Sequence, residues 1–344
     1  MGRSPSPIAE AFGLGTPTEP LLAIASGPSA VHPLWRLTTT QGRFAVQALG
    51  PGPQADGVLE ALAAPTRLEL AAWRAGAPMP RPCLVPGTGV GVAVIDDPEG
   101  PSMLVRVHEW VDGDLPTAPA SPELAAALGG ALAAVHNLDM RCDQDAEVDP
   151  WYRAAHGAGH WRRLAGRAEH AGHRWARRLI GALPLLAEVE ALVAARAAEV
   201  VPLLVCHSDL VPGNVLVSVD GRPSILDWDD AGPWNAAEEL AAAVVSWSTG
   251  PQGEPCERVA LALVQGYRRA RGVADGQSPT ILAGSFSAVA NWLELNVRRS
   301  LDGVTRDRAA QRAEAEVTRA LDELAWRMTW RHRWMELLLR HRPG

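Results

Sequence analysis

The sequence contains no lysine: all 32 basic side chains are arginines, set against 39 acids for a formal charge of -7 at pH 7. No lysine ammonium is therefore available to any site in the chain, and the acidic balance gives no global basic surface for nucleic acid. Zinc-finger spacings, arginine-rich tails and aromatic-basic strands are missing as well, so nucleic acid is not an expected partner. The cysteines Cys83, Cys142, Cys206 and Cys256 are dispersed without a Cys-x-x-Cys pair, which fits reduced thiols and gives no structural zinc. No apolar run approaches membrane-spanning length, and the start lacks a charged-then-apolar signal pattern. The expectation is a cytoplasmic chain with no membrane partner. Met1 to Ser6 formally fits a myristoylation pattern, read here as coincidence.

Against these absences stands one dense stretch, His207-Ser208-Asp209-Leu210-Val211-Pro212-Gly213-Asn214, followed by a hydrophobic hairpin and Leu226-Asp227-Trp228-Asp229. Phosphoryl transfer needs one carboxylate facing the acceptor hydroxyl and further oxygen ligands holding Mg2+ on the phosphates. Asp209 is the candidate for the first task, Asn214 and Asp227 for the second. Val215-Leu216-Val217 and Ser224-Ile225-Leu226 read as strands, and Asp220-Gly221 between them is a strong local hairpin signal. Asp229 and Asp230 read as solvated acids, and Cys206 as buried strand packing.

The set resembles the aminoglycoside phosphotransferase and choline-kinase-like family, whose signature is His-Gly-Asp-x-x-x-x-Asn followed by a magnesium-ligating Asp. Ser208 replaces the usual glycine, which reads as a small change. The resemblance covers about residues 20 to 300 and implies a two-lobed, protein-kinase-like α+β fold, with a small antiparallel-sheet N-lobe over residues 1–110 and a larger, mainly helical C-lobe over 111–344. A length of 344 residues with 47% hydrophobic content is enough for two cores. By the same resemblance His207 props the catalytic loop, Asp209 orients or deprotonates the acceptor, Asn214 and Asp227 bind the metal, and the cofactors are ATP and Mg2+.

The N-terminal third offers the elements such a lobe needs. Leu21 to Ala25 reads as a strand, Ser26 to Pro33 as a nucleotide loop containing Gly27 and Ser29, Leu34 to Thr39 as a second strand, Gln41-Gly42 as a turn and Arg43 to Leu49 as a third strand. The loop is poor in glycine, and a generic surface loop reads equally well there. Phe44-Ala45-Val46-Gln47 aligns with the motif that ends, in the family, in a phosphate-pairing lysine. Here Gln47 brings a donor without charge, and Arg36, Arg43 or Arg106 are the arginines that could compensate. Glu69 is the candidate for the helix acid that pairs with that lysine, but Thr66-x-x-Glu69 equally reads as a capping box at a helix start. Beside phosphates an uncompensated Glu69 would turn outward or bind an arginine.

Met103 to Gly113 reads as an extended run into the hinge, where the resemblance places backbone groups around Glu109 to Val111 against the adenine edge. Ser121-Pro122-Glu123 opens a helix through His136 with an N-cap, a first-turn proline and an acid. Glu239 reads either as an acid bracing the catalytic loop or as an exposed first-turn glutamate. Between Trp151 and Ile180, seven arginines and four histidines face a single acid, Glu169. This counts against a polycationic acceptor unless the segment is simply a solvated face, and the histidines show no metal spacing with partner acids. Glu294 reads as an acceptor contact or an arginine partner, and Trp326, Trp330 and Trp334 as a packed stripe. The expected function is ATP-dependent phosphorylation of a hydroxyl on a small molecule, an antibiotic or biosynthetic intermediate. The alternatives are a pseudokinase holding nucleotide or peptide, favoured by Gln47, and a peptide serine or threonine kinase.

Overall fold

A computed structural model describes residues 4–24, 33–51, 63–96, 102–142, 145–272, 278–303 and 308–339. The chain divides into two compact units, Met1–Pro116 with Pro212–Ala231, and Thr117–Val211 with Gly232–Gly344. The first of these units takes in the 212–231 hairpin. The reason is local pairing: Asp114 and Val217 exchange backbone hydrogen bonds of 3.0 and 2.9 Å, and Ile225 N–H donates to Pro78 O at 2.7 Å.

The first unit is built on a five-stranded antiparallel sheet in the order β1-β2-β3-β5-β4. The strands are β1 (Leu22–Ala23), β2 (Leu34–Thr39), β3 (Gly42–Pro51), β4 (Val92–Ile95) and β5 (Met103–Glu109). Alternation along β3 sends Phe44, Val46 and Ala48 into a core with Val105 and Val107 of β5 and with Ile8 and Phe12 from the short helix α1 (Ser6–Ala11) and its end. The opposite face carries Gln47, Arg106 and His108, because β3 pairs with β5 in the register Gln47↔Arg106 and Ala45↔His108. Helix α2 (Ala63–Arg74) contributes the buried residues Leu68, Glu69 and Ala72. It ends at Gly76, whose φ of +81° suits glycine.

The second unit is helical. Helix α3 (Pro122–His136) starts as its sequence directs, with the Ser121 Oγ accepting from Leu124 N–H at 3.1 Å and proline in the first turn. It is followed by α4 (Pro150–Arg153), α5 (Ala158–His170), α6 (Ala176–Gly181), α7 (Leu183–Ala197), α8 (Ala236–Ser248), α9 (Glu257–Arg271), α10 (Ala283–Asp302) and α11 (Arg308–Leu339). A two-stranded ribbon pairs β6 (Leu204–Cys206) with the strand Gly232–Trp234. Cys206 is fully buried there against the stacked rings of Tyr152 and Trp234, as its apolar setting suggests. Among the described residues no helix is long and apolar enough to cross a membrane.

Helices α3 and α9 approach backbone to backbone through two glycines. A Cβ at Gly129 would lie 2.8 Å from Tyr267 N and closer still to Leu263 O, and one at Gly266 would lie 2.9 Å from the Ala126 carbonyl carbon. Backbone cannot yield as a flexible side chain can. Gly266→Ala is expected to lower the unfolding free energy by about 1–3 kcal/mol through overpacking. Gly166→Ala, on α5 where a Cβ meets open space, should instead raise it by about 0.5–1 kcal/mol. Urea denaturation midpoints of the two variants check the contrast.

Candidate active site

In the second unit, β6 delivers the chain into His207-Ser208-Asp209. Ser208 adopts φ +72°, a left-handed conformation that costs a residue with a Cβ roughly 1–2 kcal/mol. The replacement of glycine is thus larger than the similar side-chain sizes suggest. The conformation aims the Ser208 N–H at Glu239 Oε1, 2.6 Å away. A hydrogen bond to a buried charge is worth about 1.5–3 kcal/mol, enough to hold the strained residue in place. Glu239 lies in the first turn of α8, whose N-cap Asn235 accepts from Ala237 and Glu238 N–H at 3.1 and 3.3 Å. It braces the loop from a buried position rather than lying exposed to solvent. Its second oxygen meets His136 Nε2 at 2.6 Å, and His136 Nδ1 meets the Tyr267 hydroxyl at 2.8 Å. Three helices, α8, α3 and α9, therefore converge beneath one loop. Beyond the loop Trp247 Nε1 donates to Leu210 O at 2.8 Å. Burial alone would raise the Glu239 carboxyl, but the hydrogen bond and charge of His136, the charge of His207 and the Ser208 N–H outweigh it and leave the group below its ordinary value of 4.5. His136 and Tyr267 carried no sequence signal, since their partners stand 103 and 131 positions away.

In the first unit, the short 3-10 turn Pro212–Asn214 leads into β7 (Val215–Val217), which pairs with β8 (Pro223–Ile225) in the register Val215↔Ile225. Leu226 N–H donates to Asn214 O at 2.8 Å, so the pairing brings Asn214 and the residue before Asp227 together at one end of the hairpin. Asp227 takes φ +57°, a left-handed conformation that aspartate tolerates better than most residues. The turn forms as its Asp-Gly pair directs, with Gly221 at φ +76°.

The sheet face above α2 holds a network that the sequence disguised. Gln47 Nε2 donates to Asp229 Oδ2 at 3.2 Å, and the Arg106 guanidinium contacts Asp229 Oδ1. Asp229 is therefore no solvated acid. Glu69 is buried, 2.6 Å from His108 Nε2 and 4.0 Å from Arg106 Nη1. The capping-box alternative fails because α2 is already helical at Ala63, which leaves Thr66 inside the helix. Arg43 pairs with Asp112 at the exposed rim, and Arg36 packs over the Trp110 ring. Glu109 N–H donates to Arg81 O and Trp110 N–H to Arg43 O. Gly27 and Ser29 lie outside the described residues.

The family model described as "Phosphotransferase enzyme family" matches residues 25–273. The chain belongs to this family. Its fold is also that of solved phosphotransferases at low identity. An amicoumacin kinase in complex with AMP-PNP, Ca2+ and its ligand superposes with a TM-score of 0.63 at 17% identity, over 93% of this chain and 91% of that one. A spectinomycin phosphotransferase in complex with ADP and spectinomycin gives 0.59 at 13%, covering 90% and 92%. Choline kinase from Cryptosporidium parvum gives 0.54 at 13%, covering 93% and 92%. No relative is found among curated protein sequences.

In this phosphotransferase part of the basic segment after Trp151 is paired with distant acids. Arg167 pairs with Asp302 at 3.0 Å, His173 with Glu314 at 2.9 Å, and Arg178 with Asp322. These pairs offset only part of the segment's positive charge. Glu294 of α10 reaches His156 and His160, which supplies the partner acid that sequence spacing concealed. Their ligand atoms lie within 4.8 Å of one another. Arg298 already occupies Glu294, however, and Arg163 lies 3.5 Å from His160 Nδ1, so two resident guanidiniums oppose a metal cation there. Of the tryptophan stripe on α11, Trp334 is buried while Trp326 and Trp330 remain at the surface.

Two expectations follow from the braced loop. Ser208→Gly should stabilise the protein by about 1 kcal/mol by relieving the left-handed strain, read as a higher midpoint in urea. Because the Glu239 carboxyl is depressed, its contribution is full above pH 4.5 and is lost as pH falls through the lower folded value. The stability gap between wild type and Glu239→Gln should therefore narrow as pH drops below 4.5. A gap that stays constant from neutral pH into that range would refute this assignment of the carboxylate.

Proposed function

We propose that the protein transfers the terminal phosphoryl group of Mg-ATP to a hydroxyl of a small molecule. The observation that carries this reading is the pairing of β7 with β8, which sets Asn214 beside the Leu226-Asp227 step, in a chain that belongs to a phosphotransferase family. An amide oxygen and a carboxylate are hard ligands that suit Mg2+, which keeps its remaining positions for water and phosphate oxygens. When bound, the ion neutralises charge on the phosphates.

Asp209 acts on the acceptor: its carboxylate orients the hydroxyl and takes the proton as the oxygen attacks phosphorus. Positioning and electrostatics supply most of the catalysis in such reactions, so the loop's rigidity matters as much as the carboxylate itself. The Glu239 brace below Ser208 provides that rigidity, and His207, itself buried, props the loop. On the nucleotide side, the N–H groups of Glu109 and Trp110 are committed to backbone carbonyls. The adenine edge is then met at Val111. Gln47 and Glu69 complete the phosphate side, and by the family resemblance Gly27 and Ser29 would join them. Acceptors named for the structural relatives run from an antibiotic to choline, and a shared fold does not choose among them.

Incubation with labelled Mg-ATP and a panel of hydroxylated antibiotics, amino alcohols and serine peptides tests the proposal. Transfer to a small molecule is expected, falling by roughly 10^2- to 10^4-fold in Asp209→Ala and abolished by Asp227→Ala at limiting Mg2+. Labelling of peptides alone would replace the small-molecule reading, and nucleotide binding without transfer to any acceptor would establish a pseudokinase.

A further inference from the structure

The charge missing at position 47 stands one strand away. Register places Gln47 directly opposite Arg106, so the two side chains leave the same sheet face from positions roughly 5 Å apart. Both reach the same carboxylate, Asp229, and both belong to the unit that carries Asn214 and Asp227. The Arg106 side chain is only 3% exposed. A guanidinium buried to that degree should have its five donors met by acceptors. Arg106 falls short: among the described residues its Nε has no hydrogen-bond partner, and Glu69 lies 4.0 Å from Nη1, beyond hydrogen-bond reach. The Glu69 oxygen that faces it is taken at 2.6 Å by His108. One close carboxylate therefore serves a buried cation with donors to spare.

The other arginines named for this role are directed elsewhere. Arg43 forms a two-pronged pair with Asp112, at 3.2 and 2.6 Å, on the exposed rim. Arg36 lies over the Trp110 ring and 4.0 Å from Glu19. With no lysine in the chain, Arg106 is the arginine among the described residues that stands beside Gln47 on this face.

We propose that Arg106 on β5 supplies to the nucleotide phosphates the positive charge that a β3 lysine supplies elsewhere in the family. Asp229, itself bonded by Gln47, holds the guanidinium, and Glu69 sets its charge balance from α2. The inference rests on the nucleotide-binding reading and replaces the picture of Gln47 as a weakened substitute. A planar fork with several donors suits phosphate oxygens at least as well as an ammonium does.

The test is calorimetric titration of wild type, Arg106→Gln, Gln47→Lys and the double variant with Mg-AMP-PNP and, separately, with adenosine. Losing a charge-assisted contact should weaken Mg-AMP-PNP binding by roughly ten- to a hundredfold in Arg106→Gln, with adenosine affinity changed less than about twofold. The double variant, with its cation returned to β3, should recover most of the loss. Equal weakening of both ligands, or an unchanged triphosphate affinity, would overturn the proposal and leave Arg106 a structural ion-pair partner. Should Arg106→Gln fail to fold, Gln47→Lys decides alone. A gain under about threefold shows the charge already present, and a gain of tenfold or more shows it absent. Wild type that binds neither ligand would sink the nucleotide reading itself, an outcome visible before any variant is made.

Discussion

The second unit is organised around one buried carboxylate. Glu239 accepts from the strained Ser208 backbone and meets His136, which meets Tyr267, so the tip of one loop is tied to three helices through short polar contacts. Each link needs the others. Without Ser208 N–H and His136, a carboxylate at 1% exposure would be an unpaired buried charge, among the more costly defects a fold can contain. Without Glu239, the left-handed residue would lose the acceptor of its N–H. The chemistry proposed for Asp209 thus depends on a group that never meets substrate.

The first unit uses the same economy of charge differently. Its sheet separates an apolar face, with Phe44, Val46, Val105 and Val107 in the core, from a face where ionisable groups collect. On that face Glu69, Arg106, His108 and Asp229 are arranged so that each carboxylate has a nearby basic partner. Such a set tolerates burial only because its members neutralise one another. The absence of lysine from the chain therefore does not by itself leave that face without a basic group.

Much of this was legible in the sequence where the determinants are local. Ser121-Pro122-Glu123 opened a helix at the expected residue, β2 spans Leu34–Thr39 as read, and the Asp-Gly turn closed the hairpin that carries Asn214 and Asp227. The family was legible as well, since its signature lies within a short stretch. Readings that depended on tertiary partners fared differently. Thr66 and Glu69 have the spacing of a capping box, but the helix begins earlier and burial of Glu69 beside His108 overrides the local pattern. Asp229 looked like a surface acid because nothing nearby in sequence reveals Gln47 and Arg106. The basic segment looked unbalanced because its acids, Asp302, Glu314 and Asp322, come more than a hundred residues later. Ser208 illustrates a third case: the side-chain change is small, and only the backbone angle shows why glycine is the easier residue there.

The discontinuity of the first unit has a consequence for biosynthesis. Its sheet lies within Met1–Pro116, yet the hairpin that completes the unit is Pro212–Ala231, separated by a long helical insertion. A ribosome that has released the sheet must still translate that insertion before Val217 can pair with Asp114 and Ile225 with Pro78. The nascent sheet therefore waits, with part of its polar face uncovered, for a later segment. Shielding of that interval falls to whatever chaperones attend the emerging polypeptide, a demand set by chain order rather than by the finished structure.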